Sequence, residues 1–297
     1  MQTIRAAIER LSAAEPAFLL GALALYVGSL FIAGARWRLF VRALGGQVGV
    51  RGATLAITAA IAVNNLTPSS RLGGEACRVT LVRMRCGTGW REATTAAVWD
   101  RVSELPCMAV LAVASAWAIR GMTPAWRAAA LVLAAALGIA LAAVGWRQLH
   151  GRGPAGTRWT KLLAFDRVTA RVFAIGVAWS VALWLQDVVR LAVVARAFGV
   201  SLTAEGVALL SILTVVGGFA PTVGGVGAVE GGLVAGLMAL GVDPPAAIAI
   251  TAGERAISYG FATAAGVVVI ATQGGHSLWA TVRSRRMAAG EEQTEPL

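Results

Sequence analysis

Eight ionisable residues lie inside otherwise apolar stretches of this chain: Asp100, Arg101, Glu104, Asp187, Arg190, Glu230, Glu254 and Arg255. A charged side chain at mid-bilayer depth costs ~2.5–3.5 kcal/mol even on the mildest scale. Such groups are kept for one another or for a ligand. The planar fork of arginine grips carboxylate or phosphate through two parallel hydrogen bonds. Two compatible readings follow. In one, acids and arginines pair and clamp the halves of the chain together. In the other, they line a water-accessible groove for a charged head group. The candidate binding residues are then Arg71, Glu75, Arg78, Asp100, Arg101, Asp187, Arg190, Glu230, Glu254, Arg255 and Tyr259.

Two glycine- and proline-rich stretches must position these groups. The stronger runs from Gly217 to Gly232 and holds Pro221, Gly224, Gly225, Gly227 and Glu230. Glycine costs about 1 kcal/mol and proline about 3 kcal/mol in a helix interior. Backbone broken at membrane depth survives only inside protein or against a wet cavity. The stretch therefore reads as a bent, protein-enclosed hairpin. The weaker one, Asn64 to Glu75, repeats the design with Pro68, Gly73, Gly74 and Glu75. A helix N-terminus at each hairpin favours an anion. Glu75 is followed by Asp100-Arg101, and Glu230 by Glu254-Arg255. Before the hairpins, Arg38-Leu39 leads to Ala43-Leu44-Gly45, and Arg190-Leu191 leads to Ala197-Phe198-Gly199. An offset near ~150 residues is what a two-unit internal repeat requires.

Composition sets the class. The 297 residues are 57% hydrophobic and only 14% charged, with mean hydropathy +0.71. Soluble domains carry about 25% charged residues. The expectation is an all-α integral membrane protein, a polytopic helical bundle of two inverted repeats, each with a broken or re-entrant hairpin. The net charge of +11 suits loops facing anionic lipid, and no aromatic-basic motif points to nucleic acid. Cys77, Cys86 and Cys107, with His150 and His276, form no metal or disulfide pattern, and no cofactor is expected. There is no His-Glu-x-x-His motif and no Gly-x-Ser-x-Gly elbow, so no enzyme is expected. Gly225 to Glu230 brushes a dinucleotide pattern but has glutamate at the third glycine and no βαβ context.

In chain order, residues 1–15 read as an amphipathic interfacial segment, with Ile4, Ile8 and Leu11 on one face. No signal-peptide cleavage pattern follows the first apolar run. Residues 16–146 form the first repeat. Its first span runs from Ala17 to about Ala35, and Arg36-Trp37-Arg38 marks an interface. Residues 52–66 and 72–84 are hairpin arms, each short of the ~20 residues a crossing needs. Ala93–Ala118 spans with a kink at Pro106, and Thr123–Trp146 is a lipid-facing span. Residues 147–171 are a cytoplasmic linker. Residues 172–272 form the second repeat, with hairpin arms 204–219 and 226–240 and a last span at 244–272. The polar tail 273–297 is expected to be disordered. An odd number of net crossings in the first half inverts the second. With the N-terminus outside, 18 of the 26 basic residues fall inside, which gives a multi-pass cell-membrane protein with a cytoplasmic C-terminus.

The pattern Pro-Thr-x-Gly-Gly-x-Gly-x-x-Glu at Pro221–Glu230, with Arg71-Leu-Gly-Gly-Glu75 and Glu254-Arg255, resembles the flippase-like membrane region of lysylphosphatidylglycerol synthetases. The resemblance covers roughly residues 20–272. It departs at Ser69-Ser70, where a more glycine-rich turn is common, and ahead of Arg36, where many relatives have one more helix. In the synthetases this region is implicated in moving aminoacylated phospholipid between leaflets, while a separate soluble domain makes it. The resemblance implies a stand-alone translocator of a phospholipid or lipid-linked intermediate, without carrying over the lipid itself; the intramembrane arginines point to membrane lipids with anionic head groups as its partners. Two alternatives stand beside it: a non-transporting partner of a lipid-modifying or glycan-assembly enzyme, and an intramembrane transferase.

Overall fold

The computed structural model describes residues 2–67, 72–118, 132, 167–218 and 222–274, and the described part is all-helical. The first two helices are α1, Gln2–Ser12, and α2, Pro16–Ala43. The first hairpin follows as α3, Val50–Leu66, and α4, Leu72–Cys86. Next come α5, Trp90–Val102, and α6, Leu105–Ala118. The second half has α7, Ala170–Ala197, and a hairpin of α8, Ala204–Gly217, and α9, Ala228–Ala239. A short 3₁₀ turn, Val223–Gly225, lies at the tip of that hairpin. The last helix starts as α10, Pro244–Arg255, passes through a π-helical segment, Ala256–Phe261, and continues as α11, Ala262–Val269. All of Thr123–Trp146 but Val132, most of the linker and almost all of the tail lie outside the described residues, as do Pro68, Arg71 and Pro221.

Among the described residues, three helices are long and apolar enough to cross a membrane: Pro16–Ala43, Ala170–Ala197 and Pro244–Gln273. The four hairpin arms run from 12 to 17 residues, below the ~20 needed to span. Local chemistry sets the long helices. Proline at the first helical position starts α2 and α10, where no N–H partner is needed. Asp243 caps α10 by accepting from the Ala246 N–H at 3.2 Å. Helices α2 and α7 are both 28 residues long, and both stop at a glycine with positive φ, Gly45 (91°) and Gly199 (73°).

α2 and α7 pack along each other at the centre. Around them the core divides in two. Trp37, Phe40, Val41, Ile57, Val82 and Trp99 fill one cluster, and Tyr26, Leu191, Leu210, Leu233, Leu237 and Ile250 the other. The charged site lies between these apolar clusters. α1 packs on α10 through Ala7 and an Arg10–Asp243 contact at 3.4 Å, and leaves Ile4, Ile8 and Leu11 exposed.

Three sequence expectations change. The first helix does not stop near Ala35 but runs to Ala43. Arg36 and Trp37 are therefore not at an interface: they are 3% and 0% exposed, inside the bundle. The expected single span at 93–118 is two helices, broken at Ser103-Glu104 rather than kinked beyond Pro106. Pro106 sits in the first turn of α6, where its missing N–H costs nothing.

Candidate functional site

The first-half charges form one closed network. Arg36 on α2 donates Nε to Asp100 at 2.8 Å, Nη2 to Glu104 at 2.6 Å and Nη1 to the Ser180 hydroxyl on α7 at 2.9 Å. Arg78 on α4 donates to the other oxygen of Asp100 at 2.8 Å and also bonds Glu75. Arg101 donates to Glu75 at 2.6 Å and to Glu104 at 3.1 Å. Three guanidiniums meet three carboxylates, and each carboxylate has two arginine partners. Burial varies within the set. The Arg36, Arg78 and Asp100 side chains are 2–4% exposed, whereas Arg101 is 46% exposed.

The second-half charges form two smaller groups. Arg190 on α7 bonds Asp187 at 3.0 Å and also pairs with Glu254 of α10. Arg255 donates Nε to Glu230 at 2.6 Å and Nη2 to the Gly224 carbonyl at 3.3 Å. The other Glu230 oxygen accepts from the Gly227 N–H at 2.6 Å, closing the first turn of α9. This turn needs its glycines: Gly224, Gly225 and Gly227 have φ of 60°, 72° and 87°. L side chains are strained there.

The two hairpins meet at their tips. The Tyr259 hydroxyl donates to the Asn65 carbonyl at 3.0 Å, and the Asn65 amide donates to Thr263 at 2.9 Å. A Cβ on Gly224 would lie 2.9 Å from that same Asn65 carbonyl. The Arg255 guanidinium sits 4.7 Å over the Tyr259 ring. The π-helical segment after Arg255 carries Tyr259, and π turns are often found at functional sites. Within the first hairpin, the Gly74 N–H donates to Asn64 at 2.8 Å, and a Cβ there would come 2.4 Å from the Ala60 carbonyl.

Both groups of charges face one cavity of about 580 Å³. Among the described residues, ten charged side chains line it: Arg36, Glu75, Arg78, Asp100, Arg101, Glu104, Asp187, Arg190, Glu254 and Arg255. Every one of them is in an ion pair. Among the described residues no group of three or more His, Cys, Asp or Glu side chains is arranged to hold a metal ion.

A comparison with protein families matches residues 2–266 to the lysylphosphatidylglycerol synthase TM region. The chain belongs to this family. It is also 26% identical over 294 residues to a UPF0104 membrane protein of Methanothermobacter thermautotrophicus, a match that covers 88% of this chain and 87% of that one.

In this member of the synthase TM-region family, the structure brings together most of the residues singled out from sequence. Glu75, Arg78, Asp100, Arg101, Asp187, Arg190, Glu254 and Arg255 share the cavity wall with Gly224 and Gly225. Glu230 stands behind Arg255 as its partner, and Tyr259 holds the hairpin tips. Gly73 and Gly74 lie in the first turn of α4. Sequence reasoning missed Arg36, the hub of the first network, and matched Arg38 with Arg190 instead. Arg36–Asp100 and Arg190–Glu254 are both separated by 64 residues, while Glu75–Arg101 and Glu230–Arg255 are separated by 26 and 25. Ser180, Asn64 and Asn65 were also missed, because neutral polar residues in a helix carry no spacing signal of their own.

Proposed function

We propose that this chain moves the polar head group of a membrane lipid between leaflets through the cavity where the two hairpins meet. The observation that carries this reading is the meeting of two glycine-broken hairpins on a charged, roomy cavity inside an otherwise apolar bundle. The partner-sharing of the first network supports it. Each of its three carboxylates can release one arginine and keep another, so a head-group phosphate can enter without leaving a bare buried charge. Arg101 is the most accessible of the lining arginines and is the natural first contact. Lipid tails stay in the bilayer, and the reading involves no chemical step.

In this reading the halves are inverted repeats, as in carriers whose broken helices meet near the midplane. The shared 64-residue separation of the buried Arg–acid pairs and the matching glycine stops of α2 and α7 support the repeat. The chain then sits in the cell membrane with a cytoplasmic C-terminus.

Purified protein in liposomes, assayed for leaflet exchange of acyl-labelled lipids, tests the proposal. Exchange well above protein-free vesicles is expected, and exchange equal to them would overturn it. A second reading, a purely structural clamp, is favoured by one observation: all ten lining charges are already paired. It predicts no exchange, and recovery of abundance when a pair is replaced by apolar residues.

A further inference from the structure

From the lining of the cavity we infer that the head group it accepts carries a sugar; this rests on the translocation reading. No lining arginine is free for a simple anion until an ion pair opens, since each already holds a carboxylate or two. The groups that remain are neutral. The Ser258 and Thr222 hydroxyls line the cavity and make no side-chain hydrogen bond among the described residues. The Asn64 carboxamide uses its oxygen for the Gly74 N–H, and its Nδ2 donates to nothing described. Ser29 and Thr214 give their protons to backbone carbonyls and keep lone pairs to accept with.

These five groups come from both halves and surround one space. A sugar hydroxyl both donates and accepts, so it pairs with such groups and bridges a carboxylate and a guanidinium without changing their charge. A fully ionised phosphate only accepts, so it can use the Ser258, Thr222 and Asn64 donors but not the lone pairs of Ser29 and Thr214. The volume agrees: about 580 Å³ lies in the ~300–1,000 Å³ range of sites that enclose whole small molecules. The wall also offers Trp184, one turn before Asp187. An indole face packs against the C–H face of a pyranose ring, and its N–H serves a hydroxyl.

Full-length protein in nanodiscs is titrated calorimetrically with dioctanoyl glucosylglycerol and with dioctanoyl phosphatidate. Acyl-labelled forms of the same two lipids are followed for leaflet exchange in liposomes. The glucosyl lipid is expected to bind about tenfold tighter, and the preference to fall about tenfold in the Ser258→Ala/Thr222→Val double variant. Trp184→Leu is expected to lower it independently, so the conclusion does not hang on one variant folding. Equal binding of the two lipids, binding of neither, or a preference that both variants leave unchanged overturns the inference. A glucosyl preference without exchange of either lipid leaves the sugar site standing and overturns translocation instead.

Discussion

Replacing Arg36 with methionine should destabilise the protein far more than replacing Arg255 with glutamine, while only the second change should leave a well-folded protein that fails to move lipid. The magnitudes follow from burial. The Arg36 and Asp100 side chains are 4% and 2% exposed. Removing one partner of a buried pair costs ~3–5 kcal/mol. Asp100 keeps Arg78 at 2.8 Å and Glu104 keeps Arg101, so the loss falls at the low end, about 3 kcal/mol. At ~2–4 °C per kcal/mol for larger domains, the melting temperature falls by about 6–12 °C. The Glu230 and Arg255 side chains are 33% and 16% exposed, and Glu230 keeps the Gly227 N–H at 2.6 Å. A pair that accessible contributes about 1 kcal/mol or less, a few degrees at most. Tryptophan fluorescence during heating in detergent, paired with leaflet exchange in liposomes, measures both quantities on the same preparations. Arg255→Gln is expected to lose most exchange at nearly normal stability. Equal stability losses in the two variants, or wild-type exchange by Arg255→Gln, would refute the division between a buried clamp and an accessible working pair.

Gly224→Ala should cost about 2 kcal/mol or more, because φ is 60° and the new Cβ would sit 2.4 Å from the Tyr259 ring. Gly231→Ala, in open space on α9, should be neutral or stabilising by up to ~1 kcal/mol; thermal melts that rank the two the other way would show that the hairpin tip is not held as described. Tyr259→Phe removes the hydrogen bond to the Asn65 carbonyl and should cost ~0.5–1.5 kcal/mol, and an unchanged melt would mean that this contact does not hold the tips together. Cysteines placed at Thr157 and at Ser284 in a cysteine-free background should resist impermeant maleimide added outside intact cells; labelling at both positions would reverse the orientation.

The sequence carried the hairpins clearly, because glycine, proline and a carboxylate inside apolar runs have few other uses. It also carried the local pairs: Asp187–Arg190 and Arg101–Glu104 stand three residues apart, a helical pairing distance, and are found at 3.0 and 3.1 Å. Arg36 was lost for a physical reason. An arginine beside a tryptophan near the end of an apolar run has the look of an interface, and only the continuation of α2 to Ala43 puts Arg36 inside the bundle. That error reached the topology argument, since Arg36 and Arg78 were counted as loop charges but are 3% and 2% exposed. The break at Ser103-Glu104 was hidden as well, because α6 begins at once and the apolar pattern continues across it.

Least legible was the difference between the halves. In sequence both offer a glutamate near a glycine-rich break and an acid-arginine pair some 25 residues on. In the fold, the first half ties three carboxylates to three arginines with shared partners, and Asp100 lies at its buried centre. The second half splits into two groups, Arg190 with Asp187 and Glu254, and Glu230 with Arg255 beside three glycines held at positive φ. A doubly anchored network keeps its carboxylates paired when one contact opens, whereas the more accessible Glu230–Arg255 pair beside a glycine turn can open without exposing a deeply buried charge. Both halves set an aromatic ring against an arginine, Trp37 at 4.8 Å from Arg78 and Tyr259 at 4.7 Å from Arg255, yet the first pair is the more deeply buried. If one hairpin yields to admit a head group, this asymmetry makes it the second.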